Sequence, residues 1–212
     1  MTSSKITALL QPPDKKGRVD VYADGEYLMS VSEDAALEAK LRVGMVLDSD
    51  ALSEVEHSVS LTRAKNKAYS YLSYGDMSER QLFQKLCRGG FEDSIAAECV
   101  GKMREMGFVD DARYAASLAD SLANSRLYGP RRIEQELYRR GIDSETAKEA
   151  LDGLETDFTE SVKALARGRL RRDMSDPREI QKLIAALVRC GHDYDTIKSS
   201  LSEMTDEEEI YE

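Results

Sequence analysis

The chain has 212 residues and carries 40 acidic against 30 basic side chains, for a formal net charge of −10. This excess of acid argues against a protein that coats nucleic acid through charge alone, because phosphate neutralisation requires an excess of Lys and Arg. Three cysteines without a C-x-x-C spacing argue against a disulfide framework or a zinc ribbon. No apolar run approaches the ~18 residues that a membrane helix requires. We therefore expect a cytosolic protein.

The first 48 residues predict a small β module. Residues 19–23 and 26–31 have the form of two strands, and Asp24-Gly25 between them suits a two-residue hairpin turn because both positions need positive φ. Ser32 begins a short helix, and residues 43–47 are a further extended piece. So small a sheet is stable only when it packs on the helices that follow.

The rest of the chain contains an internal repeat. Three stretches share the pattern of an apolar residue, a leucine four positions later and a glycine four after that, with offsets of 51 and 50 residues: Leu82/Leu86/Gly90, Ile133/Leu137/Gly141 and Leu183/Leu187/Gly191. An alanine precedes each (Ala64, Ala115, Ala166), and an apolar pair follows, more weakly in the third copy. Each unit therefore predicts a long helix, a capped helix that ends at glycine, and a short third helix.

These units predict a mainly α fold. Three tandem three-helix repeats bury one another's apolar stripes and form an elongated curved array, preceded by the β module. Capping signals mark the helix starts, since Ser78 and Gln81 have capping-box spacing and Pro130 and Pro177 suit a first helical position. The predicted boundaries are 1–48 for the β module, 49–110, 111–156 and 157–204 for the repeats, and 205–212 for an acidic tail.

Charge is unevenly distributed along the chain. Residues 61–172 have a net charge of +2, whereas residues 1–60 have −5 and residues 173–212 have −7. A basic centre between acidic ends is compatible with modest affinity for phosphate, or with docking on a protein.

Four arginines surround the central helix of the second repeat: Arg131, Arg132, Arg139 and Arg140. At 100° per residue, Arg132, Glu136 and Arg139 share one exposed face. Glu136 can pair with Arg132 and Arg140 at i,i+4, so a solvated, self-compensated helix is as good an interpretation as a surface that contacts phosphate or protein.

The densest basic run is Arg167, Arg169, Arg171 and Arg172. A helix C-terminus uses cations to complement its dipole, but four arginines in six residues exceed that need, so we favour binding to acidic protein or to phosphate. Lys65 and Lys67 are further candidates. Tyrosines such as Tyr128 and Tyr138 could stack on unpaired bases, although we favour half-buried packing for them.

Catalytic chemistry is poorly represented. His57 and His192 lie on separate predicted elements without metal-ligand spacing, and the chain contains no Walker loop, G-x-S-x-G or H-E-x-x-H motif. His192 stands where the other repeats have Phe91 and Ile142, which we interpret as drift of the repeat. We predict a protein that is not an enzyme and that has no catalytic residues, no cofactor and no metal site.

Three segments resemble the RecX family of bacterial recombination regulators in order and spacing. They are residues 72–86 with Leu72, Tyr74, Ser78, Gln81 and Leu82; residues 107–115 with Gly107-Phe108-Val109-Asp110-Asp111 and Arg113-Tyr114-Ala115; and residues 129–142 with Gly129-Pro130-Arg131-Arg132-Ile133 and Glu136-Leu137. The resemblance covers roughly residues 60–201, and the N-terminal extension resembles one found on some members.

The resemblance implies an array of three-helix repeats that docks on the RecA–single-stranded DNA filament and limits its assembly or activity, in DNA repair by homologous recombination. ATP hydrolysis then belongs to RecA, and we expect a monomer without membrane contact. The family motif singles out Tyr114, Gly129, Arg131 and Arg132. It also includes the pair Asp110 and Asp111, for which helix N-capping is the favoured interpretation.

Two other functions are compatible with the sequence. One is a sequence-independent nucleic-acid-binding helical module that acts without RecA, and the other is a protein-interaction scaffold. Steep salt dependence of binding to naked DNA would support the first. Binding of protein partners without any requirement for DNA would support the second.

Overall fold

The computed structural model describes residues 3–13, 16–169 and 177–210. Within these residues the protein is mainly helical, with ten helices and one small antiparallel sheet near the N-terminus, as predicted. The chain divides into two compact units, residues 1–109 (the first unit) and residues 110–212 (the second unit).

The sheet has four strands in the order β3-β2-β1-β4: β1 (Ser4–Leu10), β2 (Arg18–Ala23), β3 (Glu26–Ser32) and β4 (Val46–Leu47). All neighbouring strands are antiparallel. Asp24 and Gly25 have φ angles of 52° and 86°, which confirms the predicted hairpin turn between β2 and β3.

The sheet packs on helices α1 (Glu33–Glu38) and α2 (Ser49–Leu72). Alternating strand residues such as Ile6, Val21 and Val31 are buried and share a hydrophobic cluster with Ala35 of α1 and Val55 of α2. The sheet thus gains stability from the start of the long helix, as expected for a sheet too small to stand alone.

Nine helices form three sets: α2, α3 (Glu79–Arg88) and α4 (Asp93–Glu105); α5 (Asp111–Arg126), α6 (Pro130–Arg139) and α7 (Ser144–Asp152); α8 (Phe158–Arg169), α9 (Pro177–Arg189) and α10 (Tyr194–Ile210). Each set encloses its own hydrophobic cluster. The recurring alanines, leucines and isoleucine of the sequence repeat are buried in these clusters. The three-helix units are confirmed.

The predicted domain boundaries stay predictions. The extent of the last helix bears on the C-terminal boundary. Helix α10 continues to Ile210, past residue 205, where the sequence placed the start of an acidic tail.

The helix ends follow the sequence signals. Ser78 and Gln81 form a reciprocal capping box at the start of α3, and Pro130 is the first residue of α6. Gly90, Gly141 and Gly191, just after α3, α6 and α9, have φ angles of 88°, 89° and 92°. A left-handed residue after a helix is least costly as glycine, so the glycine of each repeat ends a helix.

The three cysteines are free thiols. Burial raises the pKa of the Cys99 thiol to about 11, which keeps it protonated and unreactive at neutral pH. No helix among the described residues combines the length and the apolar character that a bilayer crossing requires.

Candidate functional site

The central helix of the second unit, α6, is held by apolar contacts on its inner side. It packs on α5 and α7 and fully buries Ile133 and Leu137 in the cluster that these helices share. Those contacts fix which residues of this ten-residue helix face outward.

Glu136 of α6 is buried, and the prediction that it lies on an exposed face is wrong. Only 8% of the residue is exposed. Its Oε1 atom lies 3.0 Å from Nη2 of Arg132, and its Oε2 atom lies 2.6 Å from Nη2 of Arg139. The pair with Arg132 is the predicted i,i+4 contact. Burial is tolerated because a guanidinium neutralises each carboxylate oxygen.

Three arginines form the outer surface of α6: Arg131, Arg132 and Arg139, called here the α6 arginine surface. The side chain of Arg139 is 72% exposed and that of Arg132 is 40% exposed. Arg131 is exposed and forms no ion pair with any residue that the structure describes. A guanidinium has five N–H donors, so donors remain available after the contacts with Glu136.

Two tyrosines contact arginines at the two ends of α6, Arg132 near its start and Arg140 just after its last residue. The Tyr114 hydroxyl accepts a hydrogen bond of 2.7 Å from Nη1 of Arg140, and both side chains are partly buried. The Arg132 guanidinium lies 5.7 Å from the centre of the Tyr128 ring, within cation–π range. These contacts agree with the packing interpretation of both tyrosines.

Tyr138 also forms a hydrogen bond within α6. Its hydroxyl donates to Oε1 of Glu134 at 2.9 Å, and this hydrogen bond raises the pKa of Tyr138. The residue remains 41% exposed near the C-terminal end of α6.

Lys65 and Lys67 lie apart from the α6 surface in sequence and belong to the first unit. The Lys65 ammonium pairs with Oε1 of Glu38, and this hydrogen bond is the main cause of the lowered pKa of Glu38. Lys65 therefore links α2 to α1. Lys67 is exposed, with its ammonium 5.1 Å from the centre of the Tyr71 ring.

The predicted basic run is described only in part. Arg167 is an exposed residue of α8, and Arg169 is the last residue of that helix. Arg171 and Arg172 lie outside the described residues. The role of this run stays a prediction.

Asp110 is the N-cap of α5. Its carboxylate accepts a 2.9 Å hydrogen bond from the backbone N–H of Arg113, and Asp111 follows in the first helical turn. The capping interpretation is confirmed for Asp110.

The start of α6 is joined to the end of α9 by a close backbone crossing within the second unit. The Gly129 N–H donates to the Cys190 carbonyl at 2.8 Å, and the Arg131 N–H donates to the Gly191 carbonyl at 3.3 Å. A Cβ atom on Gly129 would overlap the backbone of Gly191, and one on Gly191 would overlap the backbone of Arg132. Both positions therefore require glycine.

His192 completes this crossing, so the position that we interpreted as drift of the repeat has a structural role. It is 1% exposed, and its Nε2 atom lies 3.0 Å from the Leu127 carbonyl oxygen just before α6. Gly129, Gly191 and His192 are called here the glycine joint. The signal available in the sequence was a polar residue at a position that is apolar in the other two repeats.

Burial lowers the pKa of His192, because the charged imidazolium loses its hydration there. The hydrogen bond to Leu127 and the nearby Asp193 oppose that effect only in part. Nδ1 of His192 is buried and has no hydrogen-bond partner among the described residues. The neutral ring therefore fits the joint better than the charged one.

The arrangement of the α6 arginine surface is suited to binding. The described residues contain no group of His, Cys, Asp and Glu side chains that could hold a metal ion. The α6 arginine surface presents guanidinium groups that can form charge-assisted hydrogen bonds to carboxylate or phosphate oxygens.

Comparison with known families gives three matches in chain order. Residues 4–48 match the regulatory protein RecX N-terminal domain, residues 64–103 match the first three-helix domain of RecX, and residues 110–151 match the second. Together these matches cover more than half of the chain.

Individual relatives are similar over nearly their whole length. Regulatory protein RecX of Clostridioides difficile (strain 630) is 29% identical over 94% of this chain and 95% of its own. Regulatory protein RecX of Caldanaerobacter subterraneus subsp. tengcongensis is also 29% identical, over 89% and 94%. A crystal structure of regulatory protein RecX has a TM-score of 0.76 at 28% identity and covers 92% of this chain and 99% of its own. RecX from Lactobacillus salivarius has a TM-score of 0.61 at 25% identity, over 69% and 97%.

Proposed function

Because the chain belongs to the RecX family of regulatory proteins, which are not enzymes, we propose that it binds the RecA–single-stranded DNA filament and limits the filament's assembly, ATPase and strand exchange. The observation that carries this proposal is the match of three RecX domains, in order, along one chain. The partner, RecA, is inferred from the family.

The α6 arginine surface supports the proposal by its charge and its rigidity. Glu136 holds Arg132 and Arg139 from the inside, so these side chains lose less conformational freedom on binding than free arginines would. Fixed guanidinium groups complement acidic patches of a protein or phosphates of a DNA strand. We propose Arg131, Arg132 and Arg139 as first contacts.

The net charge of −10 fits a filament partner better than free DNA. Strong binding to DNA alone would need an excess of cations, which the chain lacks. On a filament, the same weak contact recurs from protomer to protomer, and several contacts made by one chain add through effective concentration. Modest affinity for each component then suffices.

A binding experiment tests this function directly. The protein is labelled with a fluorophore and titrated with RecA filaments on single-stranded DNA, with RecA alone, and with DNA alone. We expect the tightest binding to the filament. The double variant Arg131→Gln/Arg139→Gln should bind the filament about tenfold or more weakly, because it removes two exposed charged contacts and leaves the pair of Arg132 with Glu136 intact.

The matched control is Lys148→Gln/Lys198→Gln, which removes the same charge from two other exposed positions of the second unit. It should bind the filament like the wild-type protein. Equal weakening by both variants would mean that net charge, rather than the α6 arginine surface, determines binding.

A further inference from the structure

The first unit carries four exposed cations on one side of α2 and α3: Arg63, Lys67, Lys85 and Arg88, called here the basic stripe. Arg63 and Lys67 lie one turn apart on α2, and Lys85 and Arg88 occupy the last turn of α3. None of the four forms an ion pair with a residue in the part of the chain that the structure describes. This surface is therefore a concentration of uncompensated positive charge.

Contacts between the two helices place these cations on one surface. The ammonium groups of Lys67 and Lys85 lie 5.1 Å and 5.3 Å from the centre of the Tyr71 ring. The Tyr71 hydroxyl also lies 3.5 Å from the Lys85 carbonyl oxygen. Tyr71 thus contacts one lysine from each helix, and the cation–π attraction restricts the conformations of both lysine side chains.

Arg63 and Arg88 extend the same surface. Arg63 lines an open hollow of about 410 Å³ together with Gly89 and Gly90, the two residues that directly follow Arg88. Glu56 and Glu92 also line this hollow, but neither forms an ion pair with Arg63 within the described residues.

Three other cations of the first unit are neutralised by carboxylates. Lys65 pairs with Glu38, Lys102 pairs with Glu98, and Arg104 pairs with Glu79. The four cations of the basic stripe differ from these three in having no carboxylate partner among the described residues.

Comparison between repeats shows how the stripe arises. At the 51-residue offset, Arg88 corresponds to Arg139, but Lys85 corresponds to Glu136, the carboxylate that neutralises Arg139 in the second unit. The first repeat has a cation in place of that anion.

The helix dipole accounts for only two of the four cations of the stripe. Cations in the last turn of α3 complement its dipole, which accounts for Lys85 and Arg88. Arg63 and Lys67 lie within the 24-residue helix α2, away from both ends, and like charges one turn apart repel each other. An external anion would relieve that repulsion.

We propose that the basic stripe binds the phosphodiester backbone of single-stranded nucleic acid, as a second binding surface in addition to the α6 arginine surface. Cations one helical turn apart, about 6 Å along the axis, can each reach a separate phosphate of a flexible strand. Tyr74, three residues beyond Tyr71, is 89% exposed and offers a ring on which an unpaired base can stack. A duplex presents no such base, which favours a single strand. This inference goes beyond the proposed function because the interaction needs no RecA.

The test is the salt dependence of binding to a fluorescein-labelled oligothymidylate, measured by anisotropy without RecA. Each phosphate neutralised contributes about 0.7 to the slope of log K against log salt. The variant Arg63→Gln/Lys67→Gln should lower the magnitude of that slope by about 1.4, and Gln at all four stripe positions should lower it by about 2.8.

Two controls separate the stripe from bulk charge. Lys102→Gln/Arg104→Gln removes one lysine and one arginine from compensated positions of the same unit, and it should leave the slope unchanged. The exchange Arg63→Lys/Lys67→Arg keeps the charge and should keep the slope. Circular dichroism of each variant verifies that it is folded.

Three results would overturn the proposal. They are a wild-type protein that does not bind the oligonucleotide at low salt, an equal loss of slope in the compensated control, and a fourfold variant with the wild-type slope. In the third case, weaker binding of that variant to RecA filaments would identify the partner of the stripe as an acidic protein surface. The proposed function would survive any of these results, because it is measured on the filament.

Discussion

At the level of single residues, the glycine joint depends on the absence of a side chain at Gly129. Its backbone has φ −77° and ψ 167°, a conformation that any residue can adopt, so only the close approach to Gly191 demands glycine. We predict that Gly129→Ala lowers the free energy of unfolding by about 1–3 kcal/mol, the usual cost of overpacking. Urea unfolding of the full chain measures this.

Gly168→Ala is the matched control for that substitution. Gly168 lies in α8, and a Cβ added there would meet no atom within 4 Å. Alanine is favoured over glycine in a helix by about 0.5–1 kcal/mol, so this variant should be as stable as the wild-type protein or more stable. Equal destabilisation by both substitutions would contradict the steric account of the joint.

His192 makes a second prediction at this scale. Burial lowers its pKa in the folded protein, whereas in the unfolded chain it titrates near the ordinary value of about 6.5. The contribution of the neutral ring to stability is complete above that pH. It is lost as the pH falls below about 6.5, because the unfolded state then binds more protons than the folded state.

The free energy of unfolding should therefore fall between pH 7.5 and pH 5.5, and His192→Gln should reduce that fall. The glutamine amide can still donate to the Leu127 carbonyl but does not titrate. His57→Gln is the control, since it removes the exposed histidine of the first unit and should keep the acid sensitivity. A His192→Gln protein as acid-sensitive as the wild type would exclude His192 as the cause.

At the level of elements, α6 combines a buried carboxylate with an outward basic surface. We predict that Glu136→Gln lowers the free energy of unfolding by about 1–3 kcal/mol, because a neutral amide cannot compensate both Arg132 and Arg139. Glu134→Gln on the same helix changes the charge equally but should cost less than about 0.5 kcal/mol. Equal effects in urea unfolding would mean that burial of Glu136 does not matter.

The elements themselves could be predicted because their signals are local or periodic. Three kinds of signal depend only on neighbours within a few residues. They are the hairpin turn at Asp24-Gly25, the capping box at Ser78, and the three repeat patterns that end in glycine and whose apolar residues are buried. The resemblance to the RecX family could likewise be recognised from the order and spacing of three short segments.

What could not be predicted depends on contacts between distant parts of the chain. Helical periodicity places Glu136 beside Arg132 and Arg139, but it does not tell whether neighbouring helices cover that face. The fit of Gly129 against Gly191 joins residues 62 positions apart, and no local pattern reveals it. Of the basic stripe, the sequence singled out Lys67 alone, because the other members come from two helices that only the fold brings together.

At the level of the whole molecule, each of the two units carries an outward basic surface within an acidic chain. The α6 arginine surface is proposed to contact the filament, and the basic stripe is proposed to contact a single strand. Two separate, modest surfaces would allow the protein to favour a partner that contains both protein and DNA, since linked contacts add only when both are present.

The central claim is tested most directly by the ATPase of RecA on single-stranded DNA, with this protein titrated from substoichiometric amounts to a molar excess. We predict a dose-dependent fall in the rate of ATP hydrolysis. Arg131→Gln/Arg139→Gln should require about tenfold more protein for the same fall, and Lys148→Gln/Lys198→Gln should act like the wild type. An ATPase rate that stays unchanged at a molar excess of the wild-type protein would contradict the proposed function.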